Sequence, residues 1–378
     1  MKILRCIHSA DPRGGGPIAN IRGMQQPLEE RGHRVELASL DSPDAPFIPE
    51  LGLPLHPLGP GRGSFGYSSR WKEWMQANLG NYDRIIIHGL WQYPHWSVPP
   101  LARKRRIPYF VYPHGMLDPW FNRRYPLKRI KKQLFWWLGG HRNLKGAEAV
   151  LFTSEQERLQ ARKSFWPYHL PEQVIVYGIP GNPYADRELP HPLEGRPYLL
   201  FLGRIHEKKG IDLLLQAYAE WENPTKLDLV IAGPGTLPPG SRHLTPDSCL
   251  PTPSPRLHTP GMVEGERKWA LLAHAEAFIL PSHQENFGVA VAEALSAGTP
   301  VLLSDQVNIC REVESAGAGF VQPDTLEGTR NLLNAWAGLS ADRKQSMRRQ
   351  ARERFLSTFE VGKAAADLEE KLEAPPAR

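Results

Sequence analysis

Two carboxylates and two cations in the second half of the chain carry the clearest chemical signal. Glu285 and Glu293 stand in PSHQENFGVAVAEALSAGTPVLLSD, residues 281–305. The apolar run AFILP ends there in a polar loop. A helix is predicted from about Phe287–Gly288 to Gly298, with VLLSD as the next strand. Glu285 then precedes the helix, and Glu293 lies about two turns inside it, about 12 Å along the axis. Free N–H groups at a helix start attract anions and oxygen-rich ligands. Glu293 sits on the apolar face VAVAEAL, where a carboxylate is costly to bury unless something hydrogen-bonds it. In GRIHEKKG, residues 203–210, Arg204 and Lys209 flank a short loop between a strand and a helix. Two cations beside a helix start form a clamp for a diphosphate, and would neutralise it as a leaving group. Sugar hydroxyls, a diphosphate and ribose hydroxyls are the three matching parts of a nucleotide sugar.

The first half offers two weaker features. Gly14, Gly15 and Gly16 precede Pro17 and a predicted helix. Glycines let backbone N–H groups approach a ligand closely, and proline suits the first helical position. GGGPIA fits the dinucleotide fingerprint GxGxxA, but ADPR separates it from the strand, which the tight fingerprint turn does not allow. His114, in PHGMLDPW, follows the strand PYFVY and falls at the carboxyl end of a parallel strand, where open α/β sheets bind ligands. His88, in IIIHGLW, occupies a similar strand end and competes with it.

These residues need a scaffold of alternating strands and helices. Lys2 to His8, a Gly-rich loop, a helix from Ile18 to Arg31 and the strand RVELASL form one unit. YLLFLG, the loop RIHEKK, a helix from Gly210 to about Trp221 and the strand LDLVIAG form a second. Further strands are predicted at DRIIIHG, IPYFVYPHG, EAFILPS and TPVLLSD. This order argues for parallel sheets in two Rossmann-like domains. Pro27 is expected to kink or shorten the first helix. The segment YGIPGNPYADRELPHPLEGRP reads as a linker, and 238–255 as a Pro/Ser-rich surface insertion. A charged final helix is expected from about Ala341 to Leu372. The domains are placed at 1–185 and 186–355, with 356–378 as a crossover helix and tail.

Composition narrows the function. A 378-residue chain with 41% hydrophobic and 23% charged residues fits two soluble globular domains. The +6 charge suits an anionic ligand or membrane surface. No zinc-finger spacing or RNP-like aromatic motif points to nucleic acid. Cys6, Cys249 and Cys310 are far apart and form no CxxC, which suggests a reducing compartment. No apolar run approaches the length of a bilayer span, and the first segment reads as a strand, so a cytoplasmic location is expected.

Taken together, the motifs resemble the family 4 retaining glycosyltransferases of the GT-B fold. Glu285 and Glu293 meet the signature Glu-x7-Glu, and Gly203, Arg204, Lys209 and Gly210 meet GR-x4-KG. Gly15, Gly16, Pro17 and RGHRV meet the N-terminal pattern. The resemblance implies two Rossmann-like domains facing across a cleft, with the last helix crossing back to the N-terminal domain. It implies that Glu285 binds hydroxyls of the transferred sugar, while backbone N–H groups of Asn286, Phe287 and Gly288 hold sugar and phosphate. Glu293 would take the ribose hydroxyls, and Arg204 and Lys209 the diphosphate. Gly15 and Gly16 would approach that diphosphate from the other domain, and His114 would touch the donor sugar near the reacting carbon. The family retains anomeric configuration by same-face attack. No Asp-x-Asp pair occurs in the chain, so no metal and no cofactor are expected. The Pro-rich insertion is a departure that could alter base recognition.

Residues 123–137, RRYPLKRIKKQLFWW, carry six cations and no acid, followed by Phe135, Trp136 and Trp137. Basic residues beside aromatics suit an anionic bilayer, and RKRR at 103–106 adds charge. The expected partners are a nucleotide-diphosphate sugar, a polysaccharide or lipid-linked acceptor and an anionic membrane surface. The competing readings are a non-catalytic sugar-nucleotide or polysaccharide-binding protein and a nucleotide-sugar epimerase of the same fold.

Overall fold

The structure, a computed structural model, describes residues 1–238 and 256–374. The insertion at 238–255 therefore lies outside the described residues except for Pro238, as does Cys249. The chain forms two compact units. One is Met1–Gly178 with the segment from Val361 onward, and the other is Ile179–Glu360. The sequence put these divisions at 185 and 355.

The first unit is built on seven strands: β1 (Lys2–Cys6), β2 (Arg34–Ser39), β3 (Leu55–Pro57), β4 (Arg84–His88), β5 (Tyr109–Tyr112), β6 (Ala149–Phe152) and β7 (Glu172–Val174). They run in the order β3-β2-β1-β4-β5-β6-β7, with every pairing parallel. Strands covered on both faces need near-continuous apolar runs, and RIIIH and YFVY supply them. One face packs Ile3, Ile86, Phe110 and Leu151 against Met24 and Leu28 of the helix Gly16–Glu30. Ala364, Ala365, Leu368 and Leu372 of the helix Val361–Glu373 join the same cluster. The other face packs Leu4, Ile85, Ile87, Val111 and Val150 with Trp71 and Trp136.

The second unit holds β8 (Tyr198–Leu202), β9 (Asp228–Ala232), β10 (Leu257–Gly261), β11 (Ala277–Leu280), β12 (Val301–Ser304) and β13 (Gly319–Gln322). Their order is β10-β9-β8-β11-β12-β13, again all parallel.

Two expectations change. The helix Gly16–Glu30 runs unbroken through Pro27. Pro27 has no N–H to donate back to the Gly23 carbonyl, a loss of one hydrogen bond, and Met24 and Leu28 anchor that turn in the core. The expected helix at 341–372 is two helices, Ala341–Arg354 and Val361–Glu373. Phe355 and Phe359 are buried between them in sequence, and Glu360 is extended at φ −63°, ψ 137°. Phe359 meets the ring of Phe287, 5.7 Å between centroids, so the chain turns where its apolar side chains change core.

Candidate active-site residues

In the second sheet, β8 and β11 are neighbours, while β9 and β12 lie on opposite sides of them. Strand order reverses there, and open parallel sheets bind ligands at the carboxyl ends beside such a reversal. The loop after β8 carries Arg204 and Lys209. The loop after β11 carries Glu285.

Backbone contacts lock the two loops together. The Lys208 carbonyl accepts the N–H of His283 at 2.8 Å and of Gln284 at 3.4 Å. Gly210 has φ 64°, and any Cβ there would run into the Pro281 carbonyl, so only glycine allows this approach. The Glu285 N–H donates to the Gln306 carbonyl at 3.1 Å, and the Asn308 N–H to the Glu285 carbonyl at 3.0 Å. The result is an ion pair between the Lys209 ammonium and the Glu285 carboxylate, each side chain 15% exposed. Arg204 is exposed, and its guanidinium has no ion-pair partner among the described residues.

The helix after Glu285 is Val289–Ser296, opened by Gly288 in the left-handed region at φ 81°. Its first turn has N–H groups without intrahelical acceptors. The expected start at Phe287–Gly288 is thus slightly early. Only Glu293 lies on the helix, little more than one turn inside it. Phe287 is buried, beside Asn286 and Gly288 at the helix mouth. The question of what compensates Glu293 is answered by Lys268, whose Nζ lies 2.9 Å from Oε1. Lys268 comes from the helix Gly265–His274, and no motif in the sequence points to it.

The first sheet reverses order between β1 and β4. Past β1, Pro12–Gly14 form one 3-10 turn under Asp11. Gly15 follows at φ 84°, a conformation that calls for glycine, and Gly16 and Pro17 open the helix. Gly15 is exposed with open space around it. Gly16 takes the first helical position and Pro17 the second, one place later than expected.

His88 ends β4 and His114 follows β5. The competing candidates prove to be one pair, sharing a hydrogen bond of 2.9 Å between His88 Nδ1 and His114 Nε2. The other ring nitrogen of His114 meets the Tyr177 hydroxyl. His114 is left-handed at φ 54°, a conformation uncommon outside glycine. Its ring stacks on that of Tyr112, 5.5 Å between centroids. Arg5, 1% exposed, lies on the same sheet and acts electrostatically on both histidines. Burial, with the Arg5 charge, holds His114 neutral, its pKa lowered to about 3. His88 is pushed well below the usual histidine range by burial and by His114. Both imidazoles are therefore neutral at physiological pH.

Two family models match the chain, one in each half. Residues 15–176 match the model of the glycosyl transferase 4-like domain, and residues 186–354 that of glycosyl transferases group 1. Alpha-D-kanosaminyltransferase from Streptomyces kanamyceticus is 24% identical over 204 residues, covering 52% of each chain. D-rhamnosyltransferase WbpZ from Pseudomonas aeruginosa is 28% identical over 205 residues, covering 51% of this chain and 50% of its own. The chain spans about half the length of these curated relatives. Among solved structures, sucrose-phosphate synthase from Thermosynechococcus elongatus aligns with a TM-score of 0.73 at 18% identity, covering 98% of both chains. Anabaena Alr3699/HepE in complex with UDP-glucose aligns at 0.72 and 16%, covering 98% of this chain and 99% of its own. These neighbours carry the GT-B fold of two Rossmann-like domains. With both halves matched in order and the fold shared along the chain, the protein belongs to the group 1 glycosyl transferases.

Proposed function

We propose that the chain transfers a hexose from a nucleoside-diphosphate sugar to a polysaccharide or lipid-linked acceptor, with retention of configuration and without a metal. The observation that carries this reading is the Lys209–Glu285 ion pair beside the exposed Arg204 at the strand-order reversal of the second sheet. Glu285 would accept hydrogen bonds from sugar hydroxyls while Lys209 holds its carboxylate in place. Arg204 and Lys209 would take up the negative charge as the bond from the sugar C1 to the phosphate oxygen breaks. The acceptor oxygen bonds to C1, and its proton passes to the departing phosphate oxygen on the same face. Glu293, steadied by Lys268, would receive the ribose hydroxyls. The roles of Gly15, Gly16 and His114 toward the donor rest on the family resemblance. The sugar-transferring names of the relatives and the UDP-glucose of the Anabaena neighbour support a nucleotide-sugar donor.

A thermal-shift series with UDP, GDP, ADP, dTDP and their common sugars, with and without EDTA, tests the reading. A ligand at 100 times its Kd adds about 2.7 kcal/mol to the folded state. One base is expected to raise Tm by several degrees, unchanged by EDTA and absent in Arg204→Ala. A folded sample that responds to no nucleotide would favour the polysaccharide-binding reading, and a response lost in EDTA would overturn metal independence.

The acceptor side of the reading includes an anionic membrane. The helix Pro126–Phe135 has no buried residue, and Leu127, Ile130 and Leu134 on it are exposed. Trp137, Leu138 and Trp166 extend this apolar face, with the Trp137 indole donating to the Trp166 carbonyl at 2.8 Å. Of the expected aromatics, Trp136 is buried and only Trp137 is exposed. Lys128, Arg129 and Lys131 rim the face, while Lys132 turns in over the Trp91 ring. A cavity of about 550 Å³ beside Leu138, lined by Arg103, Lys104 and Arg142, adds cationic surface. Apolar groups with a cationic rim are the pattern of helices that lie in a bilayer interface. No helix among the described residues is long and apolar enough to cross a membrane. Sedimentation with phosphatidylglycerol vesicles at low salt is expected to carry the protein down, with binding reduced at least tenfold in Ile130→Asp/Leu134→Asp. Equal binding to neutral vesicles, or none to anionic ones, would defeat this part.

A further inference from the structure

After β5 the chain turns through two successive left-handed residues, His114 at φ 54° and Gly115 at φ 73°. A non-glycine residue held there is strained and persists only where its surroundings over-determine it. The restraint on this turn comes from Glu157, on the helix Glu155–Ala161 that follows β6. Glu157 is 3% exposed. Its Oε1 accepts the Gly115 N–H at 2.6 Å, and its Oε2 accepts the Thr153 N–H and the Thr153 hydroxyl, both at 2.7 Å.

Local helix chemistry does not account for this arrangement. Ser154 caps the helix by accepting the Glu157 N–H at 3.1 Å, so Ser154–Glu157 has the S-x-x-E spacing of a capping box. In that motif the glutamate reaches back to the N–H of its own cap residue. Here one oxygen instead crosses to a turn 42 positions earlier in the chain. The imidazole attached to that turn is fixed from the other side by His88 and Tyr177. Backbone and ring of His114 are thus restrained independently.

We infer that Glu157 is a positioning residue for group transfer, acting through the Gly115 amide to set the place of His114. This rests on the reading that His114 acts at the donor sugar. The geometry requires a carboxylate, because both oxygens act only as acceptors. Glutamine would turn an NH2 group toward either the Gly115 or the Thr153 N–H, donor against donor.

The test compares Glu157→Gln, His114→Ala and the double variant in the full chain, reading kcat, KM and the Kd of the donor identified by thermal shift. Glu157→Gln is expected to lower kcat by ten- to a hundredfold with donor Kd changed less than threefold. In the His114→Ala background it is expected to add less than a twofold loss. Equal losses in both backgrounds, or a kcat within threefold of wild type, would overturn the inference. Should Glu157→Gln fail to fold, hydrogen exchange of the Gly115 amide in the wild-type protein still decides the geometry. Strong protection supports the clamp, and exchange as fast as an exposed loop overturns it. If His114→Ala transfers sugar at the wild-type rate, the role of His114 fails, and with it the catalytic consequence of the clamp. A wild-type protein that transfers no sugar would defeat the proposed function instead, and the Gly115 amide would still report whether the clamp forms.

Discussion

Lys209→Met is expected to lower kcat/KM for the donor by about 10²–10³-fold, the loss that follows removal of one preorganised group from a developing negative charge. Two effects combine. The leaving diphosphate loses a cation, and Glu285 loses the partner that holds it. Each side chain is only 15% exposed, so Glu285 left alone is a carboxylate largely withdrawn from water. Glu285→Gln attacks the same pair from the other side. It removes the acceptor charge for sugar hydroxyls and leaves Lys209 without its counter-ion. Because either change breaks the one pair, the double variant is expected to cost much less than the sum of the singles. Steady-state kinetics on the four proteins measures this, with melting curves to verify folding. A Lys209→Met enzyme within tenfold of wild type would remove the cation from the mechanism. Strict additivity would mean that the pair does not act as a unit.

Acid is expected to destabilise the first unit well above the pH at which most carboxylates titrate. His88, His95 and His114 are held neutral chiefly by burial, His95 with a pKa of about 4 and His114 of about 3. In the unfolded chain each would titrate near 6.5. Below that value the unfolded state binds protons that the native state refuses. The stability these groups confer is therefore complete above about pH 6.5 and is lost as pH falls toward 4. His95 alone would withdraw about 3 kcal/mol by pH 4. Glu36, lowered to about 2 by hydrogen bonds from Tyr82, His56 and Lys2 despite its burial, adds a further loss below the ordinary carboxylate range. Glu157 works in the opposite sense, since burial raises its pKa. Urea unfolding followed at pH 7, 6, 5 and 4.5 should show a falling midpoint, with a shallower fall in His95→Gln. A midpoint unchanged between pH 7 and 5 would contradict the neutral-histidine account.

What could be read from sequence follows from the range of each interaction. β4, β5, β11 and β12 were legible because short apolar runs end at glycine, proline or a polar residue. Glu285, Gly288 and Glu293 were legible because one loop and one helix hold all three. Short β3 and β7, at sheet edges, have no such run and were not found. Lys268 could not be found either, since its tie to Glu293 crosses between two helices through tertiary packing. Glu157 left a local trace, its capping-box spacing, but that trace points to its own helix rather than to Gly115. The rivalry of His88 and His114 could not be resolved in sequence because the answer is a contact between adjacent strand ends. Pro27 breaks only a local rule, and the core packing of Met24 and Leu28 that carries the helix through it is tertiary.

The helix Val361–Glu373 gives the first unit a consequence in time. The second unit is one continuous stretch, Ile179–Glu360, whereas the first is completed only by residues that follow it. Ala364, Ala365, Leu368 and Leu372 fill its core, and the Leu372 carbonyl accepts Arg84 Nε at 2.7 Å. A nascent chain leaving the ribosome therefore exposes an unfinished apolar face around Ile3, Ile86 and Phe110 until its last helix emerges. Domains generally fold as units during synthesis, in order from the N-terminus. Here that order is inverted: the part made first is the part finished last, and it needs shielding for the whole interval in which the second unit is made.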